Sequence, residues 1–233
     1  MFEIFSQLTT LLGLGFFLGL QHAFDPDHLV AVSTLVSKSK SLKKSSLLGL
    51  MWGLGHTTTL FAVGAVLLFF KWSIPNRWAL SFEFIIGILL VFLGGNVLRR
   101  LHKEKVHLHK HVHEDGLEHI HLHSHQNATF HDHKHTSFLV GLLHGLAGSA
   151  ALSLLALSTA DSLVQGFSFI LIFGLGSMVG MFASSTLIAI PFKLMGNFEV
   201  FSQGLKTFVG VSSVILGFFL MSKIGYLLMS AEI

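Results

Sequence analysis

The chain has no cysteine among its 233 residues. That removes disulfides, thiolate metal sites and any thiol relay together, and leaves imidazole and carboxylate as the strong side-chain metal ligands. Charge is scarce as well: 12% of residues are charged against 52% hydrophobic, and mean hydropathy is +0.70. So little charge excludes an ordinary water-soluble domain and describes a membrane protein. No Lys or Arg precedes Lys38, so the N-terminus lacks the basic start of a secretory signal and reads as a retained first span. No Gly-x4-Gly-Lys-Ser/Thr phosphate loop is present, which excludes an ATPase of the chain's own, and no His-Glu-x-x-His, which counts against a membrane metalloenzyme.

What is present begins with six apolar stretches able to cross about 30 Å of hydrocarbon, at 7–36, 46–70, 79–99, 137–159, 163–192 and 205–229. Twelve of the fifteen basic residues fall after the first, third and fifth stretches: Lys38, Lys40, Lys43 and Lys44; Arg99, Arg100, Lys103, Lys105, Lys110 and Lys134; Lys193 and Lys206. The excess of positive charge on cytoplasmic loops then puts these three loops inside and both termini outside. The basic residues therefore report membrane orientation and imply no nucleic-acid partner.

The chain repeats itself at an offset near 122. Gly19-Leu20-Gln21-His22-Ala23 answers Gly141-Leu142-Leu143-His144-Gly145, and Trp52-Gly53-Leu54-Gly55-His56 answers Phe173-Gly174-Leu175-Gly176-Ser177. More weakly, Ile85-Ile86-Gly87-Ile88 with Leu93-Gly94 answers Phe208-Val209-Gly210-Val211 with Leu216-Gly217. Three spans per repeat is an odd number, so the two halves cross the membrane in opposite senses. Inverted repeats are a transporter signature, with the substrate site on interrupted helices near the midplane. The expected fold is an all-α integral membrane protein of six helices, with halves 1–101 and 137–233 joined by a loop at 102–136.

The first stretch carries His22-Ala23-Phe24-Asp25-Pro26-Asp27-His28. An ionisable group at bilayer depth costs about 2.5–3.5 kcal/mol on insertion scales, so four within seven residues need a compensating role, and cation binding supplies one. In an unbroken helix His22 and His28 lie about 9 Å apart along the axis and about 120° apart around it, too far to share a metal. Pro26 clashes with the His22 carbonyl, cannot bond to it, and disfavours helix at Asp25. The helix should break there, bring His22, Asp27 and His28 together, and free the His22 carbonyl as a further oxygen ligand. Asp25 is a ligand or a partner that orients a ligand imidazole.

Span 2 adds His56 beside Thr57 and Thr58, a further ligand with two hydroxyls at hand for orientation or gating. His144 stands where His22 stands in the other half, but Asp25, Asp27 and His28 have Ala147, Ser149 and Ala150 as counterparts. Its reading stays open between ligand, gate and structural residue. Imidazole and carboxylate without thiolate suit Ni²⁺, Co²⁺ or Zn²⁺ better than Cu(I) or Ca²⁺.

Twelve of the sixteen histidines lie between His102 and His135. Most alternate with other residues: His107, His109, His111 and His113; His119, His121, His123 and His125; His131, His133 and His135. Extended chain groups such a pattern into chelating sets, whereas helix scatters it, and His tracts commonly bind metal. With few large apolar residues the segment is expected to be a flexible cytoplasmic loop that buffers, traps or senses metal.

Gln21-His22-Ala23-Phe24-Asp25-Pro26-Asp27-His28-Leu29 and Leu54-Gly55-His56-Thr57-Thr58 resemble the two signatures of the nickel/cobalt permease superfamily. Gln21 and Pro26 replace that family's usual Arg and Ala, and the Asp-Thr motifs of longer members are missing. Gly141 to Ser149 and Phe173 to Met178 are similar to its shorter, urease-accessory UreH-like branch. The resemblance implies secondary transport of Ni²⁺ or Co²⁺ as substrate, with no organic cofactor, and it favours uptake, with delivery to a cytoplasmic metallochaperone or metalloenzyme maturation protein. The alternatives are nickel, cobalt or zinc efflux through the same site, and a non-transporting metal sensor or chaperone built on the His tract.

Overall fold

The computed structural model describes residues 2–37, 39, 41–103, 109–112, 118–121, 133–159, 162–194 and 198–230. Within them the chain forms seven helices: α1 (Phe2–His22), α2 (Pro26–Val36), α3 (Leu42–Phe70), α4 (Asn76–Lys103), α5 (His133–Thr159), α6 (Leu163–Leu194) and α7 (Glu199–Ser230). Every stretch expected to cross the membrane falls on helix, and the first is divided between α1 and α2 at Pro26. Four helices are long and apolar enough to span a bilayer by length and composition: α3, α4, α6 and Val200–Ser230 of α7. Their outer faces carry large apolar side chains that water would penalise and lipid does not. Phe92, Leu187, Ile215 and Phe218 are each more than half exposed.

Within the His-rich segment α4 runs on to Lys103 and α5 begins at His133. The described residues between them form two paired antiparallel strands, β1 (His109–Val112) and β2 (Glu118–His121), a hairpin in which His109 pairs with His121 and His111 with His119. Alternation of His with other residues has the two-residue period of a strand, so the pattern that argued against helix is compatible with this pairing.

The main helix packings are α3 on α5 and α6, α1 on α6, and α4 on α7. Each joins a helix from 1–101 to one from 137–233, so the helices of the two halves interleave. Small residues make this close approach possible, since association in lipid depends on backbone proximity and packing rather than on the hydrophobic effect. A Cβ on Gly19 would collide with the Phe173 carbonyl, and one on Gly141 with the Trp52 carbonyl. Likewise Gly176 lies against the Phe16 carbonyl and Gly55 against the Phe138 carbonyl. Between α4 and α7, Gly87 faces the Gly217 carbonyl and Gly94 the Gly210 carbonyl, and the Ser213 hydroxyl donates to the Leu90 carbonyl at 2.7 Å.

Short α2 is held on all sides. His28, Ala31, Val32, Thr34, Leu35 and Val36 are buried, and α2 packs against α6, α7, α4 and α3. Interrupted backbone survives at membrane depth only where protein or a wet cavity surrounds it. Here protein packs around α2, and the break itself borders a cavity.

Candidate metal centre

The break that builds the site follows from Pro26. Pro26 opens α2, where its missing N–H costs nothing, and Asp25 before it takes φ −60°, ψ 147°, the extended conformation that a following proline imposes. Between the helices the Phe24 and Asp25 N–H groups donate to the Gln21 and His22 carbonyls at 2.9 and 3.1 Å. The His22 carbonyl is therefore not the free oxygen ligand that its place beneath Pro26 predicts. The chain tightens the end of α1 into three-residue turns, and the Asp25 N–H takes up the carbonyl that Pro26 leaves.

The turn delivers His22 and His28 to one place, with ring centroids 4.5 Å apart, and His56 of α3 stands 5.3 and 5.2 Å from them. One nitrogen from each of these three imidazoles lies within 4.8 Å of the others. His144 of α5 closes on the far side of His28 at 4.3 Å. His28, His56 and His144 are almost fully buried, and Trp52 packs over His28 and His144.

The carboxylates are turned to the imidazoles. Asp25 receives a hydrogen bond from His22 Nδ1 at 2.8 Å, and its side chain does not cap α2 although it sits at the N-cap. Asp27 reaches His28 Nδ1 at 3.3 Å with one oxygen and His144 Nε2 at 2.9 Å with the other. Asp27 thus stands on the His144 side of His28, and Asp27, His28 and His144 form a second close group that shares His28 with the first. Thr57 and Thr58 point elsewhere: Thr57 donates to the Gly174 carbonyl of α6 at 2.8 Å, and Thr58, exposed, to the Leu54 carbonyl at 2.7 Å.

Among the described residues His22 Nε2, His28 Nε2, both nitrogens of His56 and His144 Nδ1 are buried without a hydrogen-bond partner. A buried polar atom left unpartnered costs about 1–3 kcal/mol, and one nitrogen each from His22, His28 and His56 lies within 4.8 Å of the others, so this group could hold a metal ion. Nδ1–H of His22 and of His28 directed at a carboxylate fixes the tautomer that leaves Nε2 with its lone pair, the usual arrangement behind a metal-bound imidazole. Beside these groups lies a cavity of about 580 Å³ lined by His22, Asp25, Asp27, His28, His144 and Gly148, and on its far wall by Glu83 and Ile86 of α4. Glu83 did not emerge from the motifs, and Gly148 lay in the Gly141 to Ser149 stretch without being given a role. Glu83 had a signal, being the one acid in the stretch 79–99.

Set against known proteins, residues 8–213 match the model of the NicO family, described as high-affinity nickel-transport protein. The chain belongs to the NicO family. Family membership makes it an integral membrane protein of a nickel-transport family and not an enzyme. It is 40% identical over 221 residues to the urease accessory protein UreH of Bacillus sp. (strain TB-90), covering 94% of this chain and 93% of that protein. A more distant likeness, 24% over 181 residues, joins it to the Arabidopsis thaliana chloroplast protein FOR GROWTH AND FERTILITY 2 and spans 46% of that longer chain. No solved structure matches this NicO chain. Of the His-tract residues, His109, His111, His119 and His121 lie in the hairpin and His133 and His135 in the first turn of α5. His107, His113, His123, His125 and His131 lie outside the described residues.

Proposed function

We propose that the chain is a secondary permease that takes up Ni²⁺ across the cytoplasmic membrane, with Co²⁺ as a competing substrate. The observation that carries this is the set of unpartnered nitrogens on His22, His28 and His56, at membrane depth and backed by carboxylates. These three imidazoles are the ligands in this reading. Asp25 orients His22, and Asp27 orients His28 and links it to His144. A metal–nitrogen bond of about 2.1 Å requires nitrogens roughly 3.4 Å apart around a tetrahedral ion, so the cage closes slightly on its cargo. Three neutral nitrogens and nearby carboxylates suit a first-row divalent ion.

The likeness to a urease accessory protein supports uptake that ends in a nickel enzyme's maturation, with a cytoplasmic metallochaperone or maturation protein receiving the ion. The charge pattern supports external termini and a cytoplasmic His tract, which in this reading retains incoming metal. We also assign six spans in two inverted repeats, 1–101 and 137–233. Support comes from contacts that recur at the offset of the sequence repeat. Gly19 on Phe173 has its counterpart in Gly141 on Trp52, and Phe16 on Gly176 in Phe138 on Gly55. Because the halves interleave, alternating access moves the α4·α7 pair over the remaining helices and does not rock one half as a block.

The test is cellular nickel and cobalt by mass spectrometry, comparing wild type, His22→Ala, Asp27→Asn and a 102–135 deletion. Accumulation that falls in both point variants and persists in the deletion is expected. Falling metal content on expression of wild type would reverse the direction to efflux, loss of all function in the deletion alone would make the chain a sensor, and unchanged content throughout would refute the permease.

Gly148→Ala gives a finer check. Its new methyl would sit 3.6 Å from His22 Nε2 and 3.7 Å from Leu60, ordinary contacts that leave the fold intact. It would nevertheless occupy the approach to that nitrogen. Nickel KM should rise by about tenfold, on the scale of an altered metal surround, with an unchanged melting temperature in detergent.

A further inference from the structure

We propose that Glu83 is the receiving carboxylate of this cavity, taking up the hydrated divalent cation before the imidazoles strip its water; this rests on the permease reading above. The first ground is register. The buried residues of α4 are Ile86, Gly87, Leu90, Leu93, Gly94 and Val97, a stripe at three- and four-residue spacing, and Glu83 extends it by one turn. Glu83 therefore lies in line with the face that α4 turns to the protein, one turn beyond its last buried residue, where the side chain is itself exposed. Every other member of that stripe is apolar or glycine.

The second ground is what surrounds the side chain. Glu83 shares the wall of the 580 Å³ cavity with His22, Asp25, Asp27, His28 and His144. Asp25 and Asp27 are committed to imidazoles. Among the described residues Glu83 has no hydrogen bond or ion pair, and the charges it senses are Lys223 of α7 and Asp27. It is the uncommitted carboxylate of the cavity.

The third ground is size and chemistry. Six waters at roughly 30 Å³ each make a hydration shell of about 180 Å³, which fits the cavity with room to spare. A hydrated divalent ion is held first by charge and by oxygen, and an ionisable group inside a span ordinarily marks an ion pathway. Carboxylate at the α4 wall and nitrogen at the α1–α2 turn give the cavity an oxygen side that accepts the hydrated ion and a nitrogen side that coordinates it.

Initial rates of ⁶³Ni²⁺ flux into proteoliposomes, over a range of nickel concentrations, test this with Glu83→Gln, Glu83→Asp and Lys223→Gln. Each variant is first shown to run as a single species in detergent. Glu83→Gln should raise KM by about tenfold, the low end of what an outer partner of a metal contributes, and change the maximal rate less than twofold. Glu83→Asp should recover most of that affinity, and Lys223→Gln should leave KM unchanged or lower it, since it removes a competing cation. Should Glu83→Gln fail to fold, Glu83→Ala takes its place, with Lys223→Gln as the control that should not raise KM. An unchanged KM in the variant that removes the carboxylate overturns the proposal. Equal rises in Glu83→Gln and Lys223→Gln also overturn it, making the pair a structural tie between α4 and α7. A loss confined to the maximal rate overturns it in favour of a proton-carrying role. A wild type that moves no nickel removes the permease reading itself.

Discussion

Replacing His28 with Gln should reduce nickel flux by more than about 100-fold, beyond the 10- to 100-fold expected for groups that only orient a ligand, and by more than any other single change in the cluster. The reason lies in its two nitrogens. One nitrogen is grouped with those of His22 and His56, Nε2 is free of hydrogen bonds, and Nδ1 holds Asp27, which in turn holds His144. Removing it takes away a ligand and releases the carboxylate that ties α2 to α5. His22→Gln and His56→Gln each remove a ligand and keep the Asp27 bridge, so they should follow. Asp27→Asn keeps all three imidazoles and should fall in the 10- to 100-fold range. Gln is the appropriate replacement because it keeps volume under Trp52, where Ala would leave a void in a fully buried position. Nickel binding by calorimetry on protein lacking residues 102–135 isolates the effect from the His tract. A His28→Gln protein with wild-type nickel affinity would remove the imidazole cage from the mechanism.

Much of this was legible in the sequence because its signals were local. Pro26 between two histidines dictates a break whatever surrounds it, and spans 20 or more residues long announce themselves by hydropathy. The placement of His56 and His144 around that break is different, since it depends on α3 and α5 packing against each other and nothing within either helix states it. The repeat gave His144 a counterpart in His22 but gave no distance. One feature misled: the His22 carbonyl was expected to be free because Pro26 cannot bond to it, yet the Asp25 N–H, also released from helix, bonds it. The link from Asp27 to His144 had no local signal, since it joins the first turn of α2 to α5. Glu83 shows the opposite limit. Its isolation in an apolar span was visible, but only the register of α4 against the cavity gives it a direction.

Gly19→Ala and Gly141→Ala should each lower the melting temperature and the yield of folded protein sharply, and by similar amounts, while Gly13→Ala and Gly95→Ala should not. A Cβ at position 19 or 141 meets a backbone carbonyl, of Phe173 and of Trp52 respectively, and a backbone cannot swing aside as a side chain can. A Cβ at 13 or 95 meets nothing within 4 Å. Overpacking ordinarily costs about 1–3 kcal/mol, and pressing two helices apart should reach the upper end, because packing between close backbones is what holds helices together in lipid. The similarity of the two losses is the sharper part. Gly19 and Gly141 occupy equivalent places in the proposed repeat and press on equivalent residues, one joining α1 to α6 and the other α5 to α3. If the repeat is structural, the two interfaces should fail alike. They should differ in function, because α1 delivers His22 to the ligand set and α5 delivers His144, which Asp27 holds beside it. Protein surviving in Gly19→Ala should therefore show the weaker nickel binding. Thermal unfolding followed by size-exclusion chromatography in detergent measures both pairs together, and a Gly13→Ala protein as damaged as Gly19→Ala would refute the close-contact explanation.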